Sequence, residues 1–85
     1  MYKPIYSKLF EKQIKKFPRK EQIKIIQKIT QILENPRQLA IKLESTKPPI
    51  YRIRAGEYRI FFEVDDESKT IVFTSTERRT TQTYH

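Results

Sequence analysis

The residues from Ile50 to Val64, IYRIRAGEYRIFFEV, place the tightest constraint on what this chain can become. Apolar and charged side chains alternate through them, and the alternation is interrupted at Gly56, the single glycine of the sequence. Side chains on a strand point to opposite faces with period two, so the segment predicts two β-strands folded about the glycine. With Ala55 and Gly56 as the loop, Arg54 stands opposite Glu57, Ile53 opposite Tyr58, Arg52 opposite Arg59 and Tyr51 opposite Ile60. One face then gathers Tyr51, Ile53, Tyr58, Ile60, Phe62 and Val64, and the other Arg52, Arg54, Glu57, Arg59, Phe61 and Glu63. A slip by one residue mixes the two sets, which disfavours it. The second face sets Arg52 against Arg59, a like-charge cross-strand pair that destabilises a sheet. Either an anion lies between them or both guanidiniums splay into water over Phe61. Alanine is a poor residue for the positive φ of a type I′ turn, so a slightly longer loop is the alternative.

The rest of the chain supplies something for this hairpin to lean on. Residues Tyr2 to Tyr6 read as a first strand that Pro4 restricts to an edge or a bulge. Ser7 is a good helix N-cap, and Phe10, Ile14 and Phe17 follow at the i, i+4, i+7 spacing of one helical stripe. Pro18 breaks that helix and suits the first turn of another. From Arg19 to Glu34, Ile23, Ile25, Ile26, Ile29, Ile32 and Leu33 cover roughly half of a helix circumference. Asn35-Pro36 ends it. Residues Arg37 to Pro49 read as a connector anchored by Leu39, Ile41 and Leu43. After the hairpin, Asp65-Asp66-Glu67-Ser68 is a solvated turn rather than a Ca²⁺ or Mg²⁺ loop, since no matching ligand spacing accompanies it. Thr70 to Ser75 is a further strand; pairing Val64 with Lys69 puts Ile71 and Phe73 on the apolar face. The polar tail from Thr76 to His85 carries Arg78, Arg79 and Tyr84.

The expected architecture is therefore one α+β domain over residues 1–85, with elements in the order β-α-α-β-β-β plus a tail. A helical hairpin covers one face of an antiparallel sheet and the cationic face stays open. Charge narrows the partners: 18 Lys and Arg against 10 Asp and Glu give +8, which points to a polyanion or an acidic protein. No apolar run approaches the roughly 20 residues of a membrane span, and Met1 leads into a mixed polar segment without a secretory pattern. Cysteine is absent and the one histidine is His85, so a zinc site is not expected and a cytoplasmic location is the simplest. No cofactor, small-molecule ligand or membrane partner is expected.

The run from Tyr51 to Ile60, YRIRAGEYRI, followed by an aromatic and an acid-ended strand, resembles the signature of the RelE/ParE toxin superfamily. The order of elements and the basic, leucine-containing connector after Asn35-Pro36 share the resemblance, which extends over essentially the whole chain. It implies a two-layer RelE-like fold and a toxin of a type II toxin–antitoxin module. RelE-type members are ribosome-dependent endoribonucleases, or mRNA interferases, that cleave mRNA in the A site without a metal. The ribose 2′-hydroxyl attacks the neighbouring phosphate and leaves a 2′,3′-cyclic phosphate. The implied partners are a cognate antitoxin, the ribosome and mRNA.

Carried over by position, the implied catalytic residues are Arg52, Arg54, Arg59, Arg78 and Tyr84, with Arg79 standing in for Arg78 if the alignment moves by one. Phe61 and Arg79 join the arginines as implied RNA contacts. Clustered guanidiniums suit the negative charge that develops on phosphorus. Two departures stand out. RelE-type sites often have lysines where this chain has Arg52 and Arg54, and arginine is a poor general base. Many relatives have Gly-His or Gly-Lys before the C-terminal arginine, where this chain has Thr76-Glu77. Tyr84 is then the remaining proton acceptor, with an ordinary pKa of about 10 that flanking arginines would lower. The alternatives are a ParE-like inhibitor of DNA gyrase and a non-catalytic nucleic-acid-binding module.

Overall fold

The computed structural model describes residues 1–38, 40–44 and 49–78. Strand β1 (Lys3–Tyr6) leads into helices α1 (Lys8–Lys15) and α2 (Arg19–Glu34), and strands β2 (Ile41–Glu44), β3 (Ile50–Ala55), β4 (Tyr58–Asp65) and β5 (Thr70–Arg78) follow. They form one sheet in the order β1-β5-β4-β3-β2. The expected α+β layout holds, with two refinements. The sheet is mixed, because β1 runs parallel to β5 while every other pair is antiparallel. The connector also contributes a strand, β2. Its Ile41 and Leu43 are 55% and 40% exposed, so they do not anchor it to the core, and Leu39 lies outside the described residues.

Helix α1 begins where the sequence places it. The Ser7 side chain accepts from the Phe10 amide at 3.0 Å and its hydroxyl donates to the Thr74 carbonyl at 2.7 Å. Beyond the end of β1, α1 takes over the free edge of β5: the Gln13 side chain accepts the Thr76 amide at 2.8 Å. Pro18 sits at the N-cap of α2, its carbonyl accepting from Glu21 and Gln22. Of the six apolar residues on α2, Ile25, Ile29 and Ile32 are buried, spaced so that they meet the sheet on one stripe. Ile23 and Ile26 face outward at 49% and 55% exposure. The buried stripe is thus narrower than the apolar half-circumference implies.

The hairpin faces are as the alternation predicts, but its register is not. Ala55 pairs with Tyr58, Arg54 with Arg59, Ile53 with Ile60 and Tyr51 with Phe62. The loop is Gly56-Glu57, one residue later than expected. Gly56 has φ +64 at the first loop position, the place a type II′ hairpin reserves for glycine. At the next turn Val64 pairs with Ile71, not Lys69, leaving four turn residues, with Lys69 at φ 55. Both errors are displacements by two in the pairing, so the strand residues keep their faces; Glu57, expected on the arginine face, is instead a loop residue paired with Arg78.

The core joins Tyr51, Ile53, Tyr58, Ile60, Phe62, Val64, Ile71 and Phe73 from the sheet to Phe10, Ile25, Ile29 and Ile32 from the helices. Phe62 lies at its centre, fully buried, with the Tyr51 ring stacked at 5.7 Å and Phe73 tilted at 5.8 Å. Truncating Phe62 to alanine is expected to cost about 3–5 kcal/mol, read as a shift in the urea midpoint.

The acidic turn is used for structure. Asp65 accepts from the Glu67 and Ser68 amides. Asp66 accepts from the Tyr2 hydroxyl at 2.6 Å and from Arg37 at 2.6 Å, while Arg37 also donates to the Tyr51 hydroxyl at 3.1 Å. This exposed cluster ties the N-terminus, the end of α2, β3 and the last turn together. Hydrogen bonds from Tyr2 and Arg37 hold the Asp66 carboxyl below its ordinary pKa, and the same contacts raise Arg37. A depressed carboxylate stabilises the fold above its unfolded pKa of about 3.9. That contribution is lost as pH falls through the lower, folded value. Asp66→Asn is therefore expected to flatten the acid limb of a stability-against-pH curve, measured by thermal unfolding.

Candidate functional site

Helices cover one face of the sheet, and the site is the other face. Strand β4 is paired on both sides from Tyr58 to Glu63, so its outward residues Arg59, Phe61 and Glu63 each have neighbours on β3 and β5. Three rows result. Arg54, Arg59 and Glu77 form the row nearest the hairpin loop. Next come Arg52, Phe61 and Ser75, with Ile41 of β2 beside Arg52. The third row is apolar apart from Glu63, which lies between Ile50 and Val72 with Ile5 beyond. Positive charge is concentrated at the loop end of the face.

The like-charge pair is Arg54 with Arg59, not Arg52 with Arg59. Arg54 is exposed; Arg52, Arg59 and Phe61 are half-buried. On its other side Arg59 meets Glu77, Nη1 to Oε2 at 3.4 Å. One carboxylate thus partly offsets three guanidiniums. A phosphate between Arg54 and Arg59 can accept hydrogen bonds from both, and bidentate contact to a guanidinium is the strong form of that bond. Phe61 supplies a ring in the adjacent row, where a base can stack.

A β-bulge decides what else reaches this face. Phe62 pairs with Phe73, but Phe61 pairs with Ser75, so Thr74 is an extra residue in β5. Its hydroxyl donates to the Phe61 carbonyl at 3.2 Å. The extra residue reverses the alternation beyond it. Thr76 turns inward, 1% exposed, and donates to the Arg59 carbonyl at 2.8 Å. Glu77 turns to the arginine face opposite Arg59, and Arg78 turns to the helix side opposite Tyr58. Arg78 pairs with Glu57 at 3.2 Å, both side chains well exposed, and such a pair contributes little. With Pro18, Glu21, Lys24, Gly56, Glu57 and Tyr58 it lines a hollow of about 360 Å³ between the hairpin loop and the start of α2.

Of the sequence-derived site residues, the structure brings together Arg52, Arg54, Arg59 and Phe61. It does not bring Arg78 to them. Arg79 and Tyr84 lie outside the described residues. Sequence reasoning missed two residues. Glu77 enters through the bulge, for which the run of small hydroxyl residues Thr74-Ser75-Thr76 is the only local signal. Lys28, placed by periodicity on the solvent side of α2, is half-buried beside the outer edge of β3. There it lines a cleft with Ile41, Arg52, Ile53 and Arg54.

With the fold and this face in hand, the chain can be set beside known proteins. The fold is shared with RelE toxin structures. The isolated Escherichia coli RelE toxin is 23% identical, with a TM-score of 0.83 over 96% of this chain and 88% of that one. RelE in the archaeal RelE–RelB complex of Pyrococcus horikoshii is 23% identical, with a TM-score of 0.81 over 95% and 98%. The intact E. coli RelBE toxin–antitoxin complex gives 26%, 0.79, 92% and 96%. None of the curated protein sequences matches. The architecture is thus that of the RelE/ParE superfamily. Residues 5–80 match the family described as the ParE toxin of the type II toxin–antitoxin system parDE, and the chain belongs to that family.

If the arginine face is the polyanion site, Arg54→Ala and Arg59→Ala should each lower the slope of log K against log salt for single-stranded RNA by about 0.7. Arg78→Ala, on the other side of the sheet, should leave that slope nearly unchanged. Fluorescence anisotropy over a salt series measures all three.

Proposed function

We propose that this toxin is a ribosome-dependent endoribonuclease that cleaves mRNA in the A site. The observation that carries the reading is the gathering of Arg52, Arg54 and Arg59 on an uncovered sheet face around Phe61. A gyrase inhibitor has no evident need for that constellation. Arg54 and Arg59 hold the scissile phosphate and favour the extra charge of the five-coordinate transition state. Arg52 holds an adjoining phosphate, and Phe61 stacks on a base. The chemistry is attack by the 2′-hydroxyl, aligned by the ribosome and this face together. It calls for no metal or cofactor, and the setting is the cytoplasm, where ribosomes are.

A cognate antitoxin is the second partner, as RelB is to RelE in the complexes compared above. Uncovered apolar residues on the helical layer, Leu9, Ile23 and Ile26 among them, give such a protein a surface to bury.

A second reading has its own support. The matching family is that of ParE toxins, and Arg78 is turned away from the arginine face. Both favour a gyrase-directed toxin that uses the same fold without RNA chemistry.

Programmed ribosomes carrying a defined mRNA separate the two. Cleavage within the A-site codon that falls by about 10²-fold or more on Arg59→Ala is the expected result, in line with losing one transition-state donor. Intact mRNA together with inhibited gyrase supercoiling establishes the second reading instead.

A further inference from the structure

Cleavage by a 2′-hydroxyl needs something to take that proton, and the three arginines cannot. A guanidinium stays protonated far above neutral pH. The described part of the open face carries two carboxylates that can be weighed for the task. Glu63 sits in the apolar row between Ile50 and Val72, two rows from the Arg54–Arg59 pair. Glu77 sits in the same row as that pair, opposite Arg59.

The setting of Glu77 matches what the reaction demands. The oxygen that loses the proton and the phosphorus it attacks belong to the same nucleotide, a few bonds apart. A base and a phosphate-binding cation must therefore stand side by side. Glu77 and Arg59 do, with Oε2 and Nη1 3.4 Å apart. The contact is loose beside the 2.6 Å pair of Arg37 and Asp66, and the Glu77 side chain is 51% exposed. It can reach a bound ribose without first being released from a tight ion pair. The bulge at Thr74 is what puts it there. In an unbroken strand the parity of Ile71 and Phe73 would carry on to residue 77, and the carboxylate would face the helices.

We propose that Glu77 is the general base of the RNA cleavage, accepting the 2′-hydroxyl proton of the nucleotide whose phosphate Arg54 and Arg59 hold. This rests on the nuclease reading above. As the proton passes to a Glu77 carboxylate oxygen, the 2′-oxygen forms its bond to phosphorus. The bond from phosphorus to the 5′-oxygen breaks with its electron pair left on that oxygen, which takes a proton from water. Glu77 then returns its proton to the resulting hydroxide. The products are a 2′,3′-cyclic phosphate and a 5′-hydroxyl, and nothing is consumed.

The test is the single-turnover cleavage rate on programmed ribosomes from about pH 6 to about pH 8.5, for the unmodified chain, Glu77→Gln, Glu77→Asp and Arg59→Ala. The unmodified chain should be nearly independent of pH. Glu77→Gln should lose about 10²-fold or more near neutrality and then gain about tenfold per pH unit, as hydroxide replaces the missing base. Glu77→Asp should keep the flat profile at a reduced rate. Unfolding midpoints of the variants should match the unmodified chain, since the pair with Arg59 is on the surface. Unchanged cleavage by Glu77→Gln overturns the proposal, and so does a loss that is equal at every pH, which would make Glu77 a positioning partner of Arg59. In either case, cleavage that still depends on Arg59 leaves the nuclease reading standing. Intact mRNA with the unmodified chain overturns both.

Discussion

Strand β4 is the element on which the rest depends. It lies at the centre of the sheet, is hydrogen-bonded on both sides, and alternates buried and half-buried residues from Tyr58 to Val64. Period-two geometry makes this a single decision with two outcomes. Tyr58, Ile60, Phe62 and Val64 commit one face to the helices, and Arg59, Phe61 and Glu63 are thereby placed on the other. The hydrophobic requirement that builds the core also builds the cationic face. No separate interaction is needed to collect the arginines.

Parity was the legible part of the sequence. The hairpin's strand faces follow from spacing alone, because burial enforces them residue by residue, while the start and end of α2 follow from Pro18 and Asn35-Pro36. Register was not legible. The Gly56-Glu57 loop and the four-residue turn each moved the pairing by two, a displacement that alternation cannot detect since every strand residue keeps its face. Nor could the bulge be read. It is a count of two residues against one, fixed by how β5 meets β4, and nothing in Thr74 alone demands it. That single residue separates the expected arrangement of the open face from the one found: it turns Arg78 away and brings Glu77 in. Strand β2 escaped notice because the alternation of Ile41, Lys42, Leu43 and Glu44 is only four residues long and burial does not enforce it, with Ile41 and Leu43 exposed. For Ile23 and Ile26, apolar character was visible, but which part of the apolar half-circumference meets the sheet was not.

The electrostatics of the open face follow from its topology. Arg54 and Arg59 repel across a ladder position, and Glu77 relieves one side of that repulsion only. The sheet can carry the imbalance because the pair is near the loop, where water screens it and where Gly56 leaves the backbone uncrowded. The face therefore keeps a net positive charge on the β3 side of Arg59, where no carboxylate opposes it among the described residues.

The parallel pairing of β1 with β5 bears on when such a face comes into being. Lys3 finds its ladder partner at Thr70 and Tyr6 at Phe73, so the first strand to leave a translating ribosome must wait for the last. Closing so long a loop costs chain entropy, which β1 can recover only once β5 is in place to pair with it. Arg59 and Glu77 are brought into register by the β4–β5 ladder, on the strand that β1 joins from its other side. The acidic neighbour of Arg59 therefore sits on the strand whose free edge receives β1, so the charge balance of the open face and the docking of the first strand depend on the same nine residues.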